Sequence, residues 1–192
     1  MIKRFEAGDG TTAVLNTITR TVKLKSNGGT LWPDWLERVD IDRNSIYTIY
    51  TKGTIYAPEN MRGFDTENGK FRMFGGLRAL DFLDMTGIDT SRVTNMRSMF
   101  EFCKKLEYLD LSNFDTSNTT CMDGMFSRCF NLKELNMNGA DMGKITSMRC
   151  MFSSCRNLKN IIMNPIVKND TKTREIFRDC PAQLVGNYEE KP

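Results

Sequence analysis

The chain of 192 residues has no histidine. That absence removes the commonest general base and the commonest metal ligand, and so argues against a hydrolase or a zinc enzyme. No C-x-x-C, phosphate-binding loop or nucleophile–base pair replaces it, so no catalytic residue, cofactor or metal is expected and the chain reads as non-enzymatic. Long apolar runs are also missing. No stretch approaches the roughly eighteen consecutive apolar residues of a membrane span. Met1-Ile2-Lys3-Arg4 resembles the charged start of a secretory signal, but Phe5-Glu6-Ala7-Gly8-Asp9 follows where an apolar run belongs. The chain therefore reads either as a trimmed piece of an exported protein or as a product not exported by that route. Charge excess is small. With 27 Lys and Arg against 24 Asp and Glu, the net +3 does not point to nucleic acid or a membrane surface.

What the chain has is one phrase, repeated. Met-Phe pairs begin at 73, 99, 125 and 151, and Ile176-Phe177 closes the series, giving steps of 26, 26, 26 and 25 residues. A cysteine follows the last four of these pairs, at Cys103, Cys129, Cys155 and Cys180. An apolar L-x-x-L-x-L triplet recurs at Leu80, Leu83 and Met85, at Leu106, Leu109 and Leu111, at Leu132, Leu135 and Met137, and at Leu158, Ile161 and Met163. The end of each triplet alternates like a strand with one buried face, which predicts parallel strands at 82–85, 108–111, 134–137 and 160–163. Met96, Met99, Phe100 and Cys103 instead fall at helical spacing, which predicts helices near 95–103, 121–129, 147–155 and 173–179. Thr94, Thr120 and Thr146 stand at the N-cap phase, and Asp123 completes a capping-box-like T-x-x-D. No rung can bury its apolar side alone, so rungs must stack. The expected fold is a right-handed α/β leucine-rich-repeat solenoid of about 26-residue rungs. It has a parallel sheet on one face, short helices on the other and a small β-rich N-terminal cap.

The L-x-x-L-x-L, F-D-T-S and x-M-x-x-M-F-x-x-C phrases, densest over Leu106 to Phe126, resemble the BspA-like leucine-rich-repeat family of bacterial surface proteins. The resemblance covers about residues 64 to 180. It implies a non-enzymatic repeat protein displayed on cells and adhering to host or matrix proteins. Similar repeats also occur in phage-encoded proteins, which implies a virion-associated or receptor-binding alternative with other virion proteins as partners. No catalytic or ligand residue belongs to the motif.

Strand alternation sorts the side chains by face. If Leu109 and Leu111 point inward, Tyr108, Asp110 and Ser112 point out, and stacking builds columns. These are Phe82, Tyr108, Glu134 and Asn160; Asp84, Asp110, Asn136 and Ile162; and Thr86, Ser112, Asn138 and Asn164. This exposed sheet face is the candidate interaction surface, represented by Phe82, Asp84, Tyr108, Asp110, Ser112, Glu134, Asn136, Asn138 and Asn160. A solvated face with no partner is the plain alternative. Asp89, Asp115 and Asp141 also form a column, but each sits in a turn where a carboxylate accepts backbone N–H bonds, so calcium is not expected. The six cysteines read as free thiols, the in-phase ones buried and Cys121 and Cys150 partly exposed. Free thiols fit synthesis in a reducing compartment.

Outside the repeat, residues 1–63 are expected to form the cap, 64–180 the solenoid and 181–192 a C-terminal cap and tail. Within the first part, Ile18 to Lys25 alternates as a half-exposed strand and Ser26-Asn27-Gly28-Gly29 reads as a turn. Leu31 to Val39 suggests one short helix, and Lys52-Gly53 suggests a hairpin between Ile46–Thr51 and Thr54–Tyr56. Trp32, Trp35, Tyr47, Tyr50 and Tyr56 either pack this cap or form an aromatic contact patch. Phe64-Asp65-Thr66 reads as a degenerate first half-rung. The last rung loses F-D-T-S over 164–169, and Lys168, Lys172 and Arg174 make it basic. Leu184 to Tyr188 could add an edge strand.

Overall fold

The structure, a computed structural model, describes residues 1–38, 42–65, 70–71, 73–163 and 171–182. The expectations at Val39, Thr66, Lys168, 164–169 and 184–188 lie outside those residues. The chain is a parallel-sheet β-solenoid of about five turns with few helices.

It begins with an antiparallel hairpin, β1 (Ile2–Asn16) against β2 (Thr21–Leu31). The expected strand at Ile18 to Lys25 is thus half a turn: Ile18 is exposed at the tip, and Arg20 has a left-handed φ of 55°. Ser26 to Gly29 is not a turn but part of β2, where the Ser26 hydroxyl accepts from Gly29 N at 2.7 Å beside a register shift at Asp9/Thr11. Trp35–Arg38 forms α1, four residues long, and Arg43–Ser45 a single 3-10 turn. β3 (Thr48–Lys52) and β4 (Ile55–Tyr56) do not pair with each other as a hairpin. They lie in tandem, both parallel to β2, because the bend at Gly53 (φ 77°) keeps the chain moving forward along its long neighbour. β5 (Phe64–Asp65) pairs antiparallel with β6 (Lys70–Phe71), so the backbone at the expected half-rung is a small hairpin. β7 (Phe82–Leu83) then adds to β3, and β8 (Ile88–Asp89) to β4, both parallel.

From here the repeat takes over. β9 (Tyr108–Asp110), β10 (Glu134–Met137) and β11 (Asn160–Met163) stack in parallel, with Tyr108 opposite Glu134 opposite Asn160. A second parallel ladder runs along the other wall through Asn60, Asn95, Cys121, Ser147 and Lys172.

The segments expected to be helices on that wall are arches of tight turns. Alternate residues donate to the next rung: Met96 N to Cys121 O at 2.9 Å, Ser98 N to Asp123 O at 2.9 Å and Phe100 N to Met125 O at 2.9 Å. The residues between them close three-residue turns, as in Met99 N to Met96 O at 3.2 Å and Cys103 N to Phe100 O at 3.2 Å. Every fourth residue is left-handed: Ser98 and Phe102, Gly124 and Arg128, Cys150 and Ser154, Glu175 and Asp179, with φ between 53° and 63°. A helix cannot pass through such residues. The N-cap threonines accordingly cap nothing. Thr120 and Thr146 donate their hydroxyls to Thr94 O and Thr120 O, both at 3.1 Å, and Asp123 accepts from Arg149 N at 2.8 Å instead of closing a capping box.

The core between the two walls is built in columns. Phe74, Phe100, Phe126, Phe152 and Phe177 stack at centroid spacings of 5.9, 5.7, 5.6 and 5.3 Å, and Trp35 closes the near end edge-on at 6.2 Å. Each ring fully removed from water contributes about 1.5–3 kcal/mol, and aromatic packing adds about 0.5–1.5 kcal/mol per pair. Beside the rings, the thiols of Cys103, Cys129 and Cys155 donate to Phe74 O, Phe100 O and Phe126 O at 3.2, 3.1 and 3.0 Å. Burial pushes the Cys103 thiol up to about 12 and raises Cys129 and Cys155 as well. All six cysteines are free, but in-phase Cys180 is only half-buried, at the end of the column. The methionines other than Met1 and Met163 fill the remaining core space.

Candidate interaction face

The strand pattern puts Leu83, Leu109, Leu135 and Ile161 inside, and so turns outward Phe82 at the edge of the six-stranded sheet and Tyr108, Glu134 and Asn160 on the three-stranded sheet that follows it. Phe82 is 48% exposed and Tyr108 is 51% exposed, large values for aromatic residues on strands. Tyr50 joins the same surface from the adjacent row, since Thr48 stands opposite Phe82 and Ile49 opposite Leu83. Parallel pairing sets β3 beside β7, and the Tyr50 ring lies 5.2 Å from Phe82 at a tilt of 42°. At the far end Ile162 is 58% exposed. Glu134 accepts from the Asn160 amide at 3.3 Å, a bond between rungs. A groove of about 580 Å³ lies over this part, lined by Tyr108, Glu134, Asn136, Asn160, Ile162 and Met163.

The second row has another duty. Asp84, Asp110 and Asn136 accept from the backbone N–H two residues on, at Thr86 (2.9 Å), Ser112 (2.9 Å) and Asn138 (3.0 Å). Each side chain turns the chain out of its strand. Bonds from Ser112 hold the Asp110 carboxyl below the usual carboxylate range, and the Asp110 charge in turn raises the Tyr108 hydroxyl. Ser112 and Asn138 stand exposed just beyond the strand ends. Asp89, Asp115 and Asp141 behave the same way at the next bend, accepting from Ser91, Ser117 and Gly143 at 2.9, 2.9 and 2.7 Å. Among the described residues no group of three His, Cys, Asp or Glu side chains could hold a metal ion. Trp35, counted among the cap aromatics, is fully buried, whereas Tyr47 and Tyr50 are exposed. The membership of Tyr50 in the sheet face follows from the pairing of β3 with β7, which no periodicity announces.

Residues 70–187 match the model of a family described as Mycoplasma protein of unknown function, DUF285. The chain belongs to DUF285. The DUF285 match covers the rungs from β6 onward and leaves the β1–β2 hairpin outside it. No curated protein matches the chain. Among solved structures, a leucine-rich repeat protein from Eubacterium ventriosum is similar, with 12% identity and a TM-score of 0.31. The similarity covers 87% of this chain and 61% of that one, so this chain spans less than two thirds of the other protein's length. Among the described residues no helix is long and apolar enough to cross a membrane.

Proposed function

We propose that this DUF285 chain is a non-enzymatic, adhesin-like interaction module that holds a host or matrix protein on its exposed sheet face. The observation that carries the reading is the group of exposed aromatics Tyr50, Phe82 and Tyr108 on the outer surface of strands whose alternate residues are core. Exposed aromatic side chains grouped on a rigid sheet are the usual anchors of a protein interface. The polar groups Glu134, Asn160, Ser112 and Asn138 surround them as a rim, and rigid stacking of the rungs keeps the face preformed. In this reading residues 1–63 serve as the cap that closes the open end of the stack, and 181–192 end it. BspA-like motifs over 64–180 support the adhesive role.

The test uses the immobilised wild-type chain, a Phe82→Ala/Tyr108→Ala variant and a panel of purified host matrix proteins. At least one panel member is expected to bind, with affinity falling at least tenfold, about 1.4 kcal/mol, in the variant. Binding that the variant retains in full, or a panel that never binds, overturns the reading.

A further inference from the structure

One corner of the solenoid carries a charge pattern that the net +3 conceals. It is the corner where each arch ends and the next strand begins. Phe102 lies there with Arg128 4.7 Å from its ring centroid and Arg78 and Lys104 each at 5.8 Å. Lys104 also reaches Phe130 in the next rung, at 5.4 Å, and Arg156 lies 5.5 Å from the same ring. Tyr47 extends the strip toward the N-terminal end, with Lys105 at 5.8 Å and Arg20 at 5.4 Å. Cation–π contacts of significance occur about once per 70–80 residues. Seven joined along a single corner mark a surface rather than scattered side chains. Compensating acid is sparse. Glu101 stands 3.6 Å from Arg128, and Glu107 is taken up by Lys133 at 2.6 Å. Like charges gathered this closely repel, and a bound anion relieves that repulsion.

We propose that this corner binds an anionic polysaccharide laid along the solenoid axis. This surface is separate from the sheet face, and the proposal does not rest on the reading of that face. The spread of cations calls for a polymer. Arg78, Lys104 and Arg156 occupy equivalent positions of successive rungs, one of which is taken by Phe130, and rungs repeat every 4.8 Å or so. A small anion would meet only one or two of them. Nucleic acid is disfavoured because single strands bind largely by stacking bases on open aromatic faces. Here the ring faces already hold cations. An acidic peptide is disfavoured because the backbone of the corner offers no open strand edge. Phe102 N, Arg128 N and Lys133 N donate to Ser127 O, Ser153 O and Glu107 O at 3.0, 2.8 and 2.8 Å. Guanidinium and ammonium groups remain as the recognition chemistry, and they suit sulfate and carboxylate groups.

Heparin is the probe, titrated into the intact chain at low salt and again at rising salt. Binding that weakens steeply with salt is expected, as for any multi-ion contact. Arg78→Gln/Lys104→Gln/Arg128→Gln/Arg156→Gln should bind at least ~30-fold more weakly, since four charge-assisted contacts are lost. Arg62→Gln/Arg92→Gln/Lys144→Gln, on other surfaces, should stay within about twofold, because rim charges far from a contact are screened. If circular dichroism shows the quadruple variant unfolded, Lys104→Gln alone, which touches two of the rings, should still weaken binding about threefold. Three results overturn the proposal: no heparin binding at low salt, full binding by the folded corner variants, or equally tight binding of oligothymidylate or polyglutamate.

Discussion

The central rungs and the N-terminal hairpin bury polar groups by different means. In the rungs, one buried hydroxyl or thiol after another finds a carbonyl in a neighbouring rung. Thr119 donates to Val93 O at 2.9 Å, Thr116 to Asp141 O at 2.8 Å, and the thiols of Cys103, Cys129 and Cys155 to phenylalanine carbonyls. In the N-terminal part, Thr11 Oγ1 and Trp35 Nε1 are buried with no hydrogen-bond partner. Repetition explains the contrast. A side chain that fits one rung finds the same carbonyl in every other, so one solution serves the whole array. β1, β2 and α1 meet once each, and each fit must be found separately.

The comparison can be broken at several points, beginning with the largest effect. Phe126 has a stacked ring on both sides, at 5.7 and 5.6 Å, and Phe126→Ala is expected to cost about 3–5 kcal/mol in a urea melt. A cost below about 1 kcal/mol would show that the column is not the core of the array. Next come the two threonines. Thr119→Val strands the buried Val93 carbonyl and should cost about 1–3 kcal/mol, whereas Thr11→Val removes an unpaired hydroxyl and should be neutral or stabilising. Equal losses for both would erase the distinction between the regions.

A smaller effect tests the arch. Gly124 has φ 60°, and a Cβ there would meet Ser98 Oγ at 3.5 Å and Ser127 Cβ at 3.8 Å, both ordinary contacts. Gly124→Ala therefore pays only the left-handed backbone, about 1–2 kcal/mol, and Ser98→Gly should return part of that at the equivalent place one rung earlier. Opposite signs in thermal melts would mean that these positions are not left-handed. The smallest effect belongs to the sheet face. Asp110→Ala should fall within ±0.5 kcal/mol or so at neutral pH, because the residue is exposed and water replaces its bond to Ser112 N. Its folded carboxyl is held below the ordinary range, as is that of Asp115. The stability they contribute is thus full above the unfolded value of about 3.9 and lost as pH falls through the lowered folded values. Asp110→Ala should lose that small contribution at pH 7, and the difference from wild type should shrink as pH falls below about 4. A difference that instead grows as the pH falls would contradict this.

These contrasts also mark what could be read from residues alone. The step of 26 was legible because Phe100, Phe126 and Phe152 must stack, and so was the register of β9, β10 and β11, since Leu109, Leu135 and Ile161 must face inward together. The arches were misread as helices because Met96, Met99, Phe100 and Cys103 reveal only which residues are buried. A run of turns buries the same positions. The distinguishing signal was Gly124, a poor helix residue inside the supposed helix, with polar Ser98 and Glu175 at its equivalents. On the candidate face, Phe82, Tyr108 and Glu134 were legible from alternation. Tyr50 was not, because the tandem placement of β3 and β4 on β2 depends on a bend at Gly53 that mimics a hairpin turn.

The direction of the hydrogen bonds has a mechanical meaning. Thr120 to Thr94, Thr146 to Thr120 and the arch N–H groups all bond from one rung to the next, across 24 to 26 residues. Tension applied to the two ends of the chain therefore loads the bonds of the outermost rung first and spares those behind it. The array should peel like a roll of tape, each event paying out one rung of about 90 Å of extended chain, before the next rung feels the load. A tether built this way yields at a nearly constant force and recoils rung by rung when that force is released.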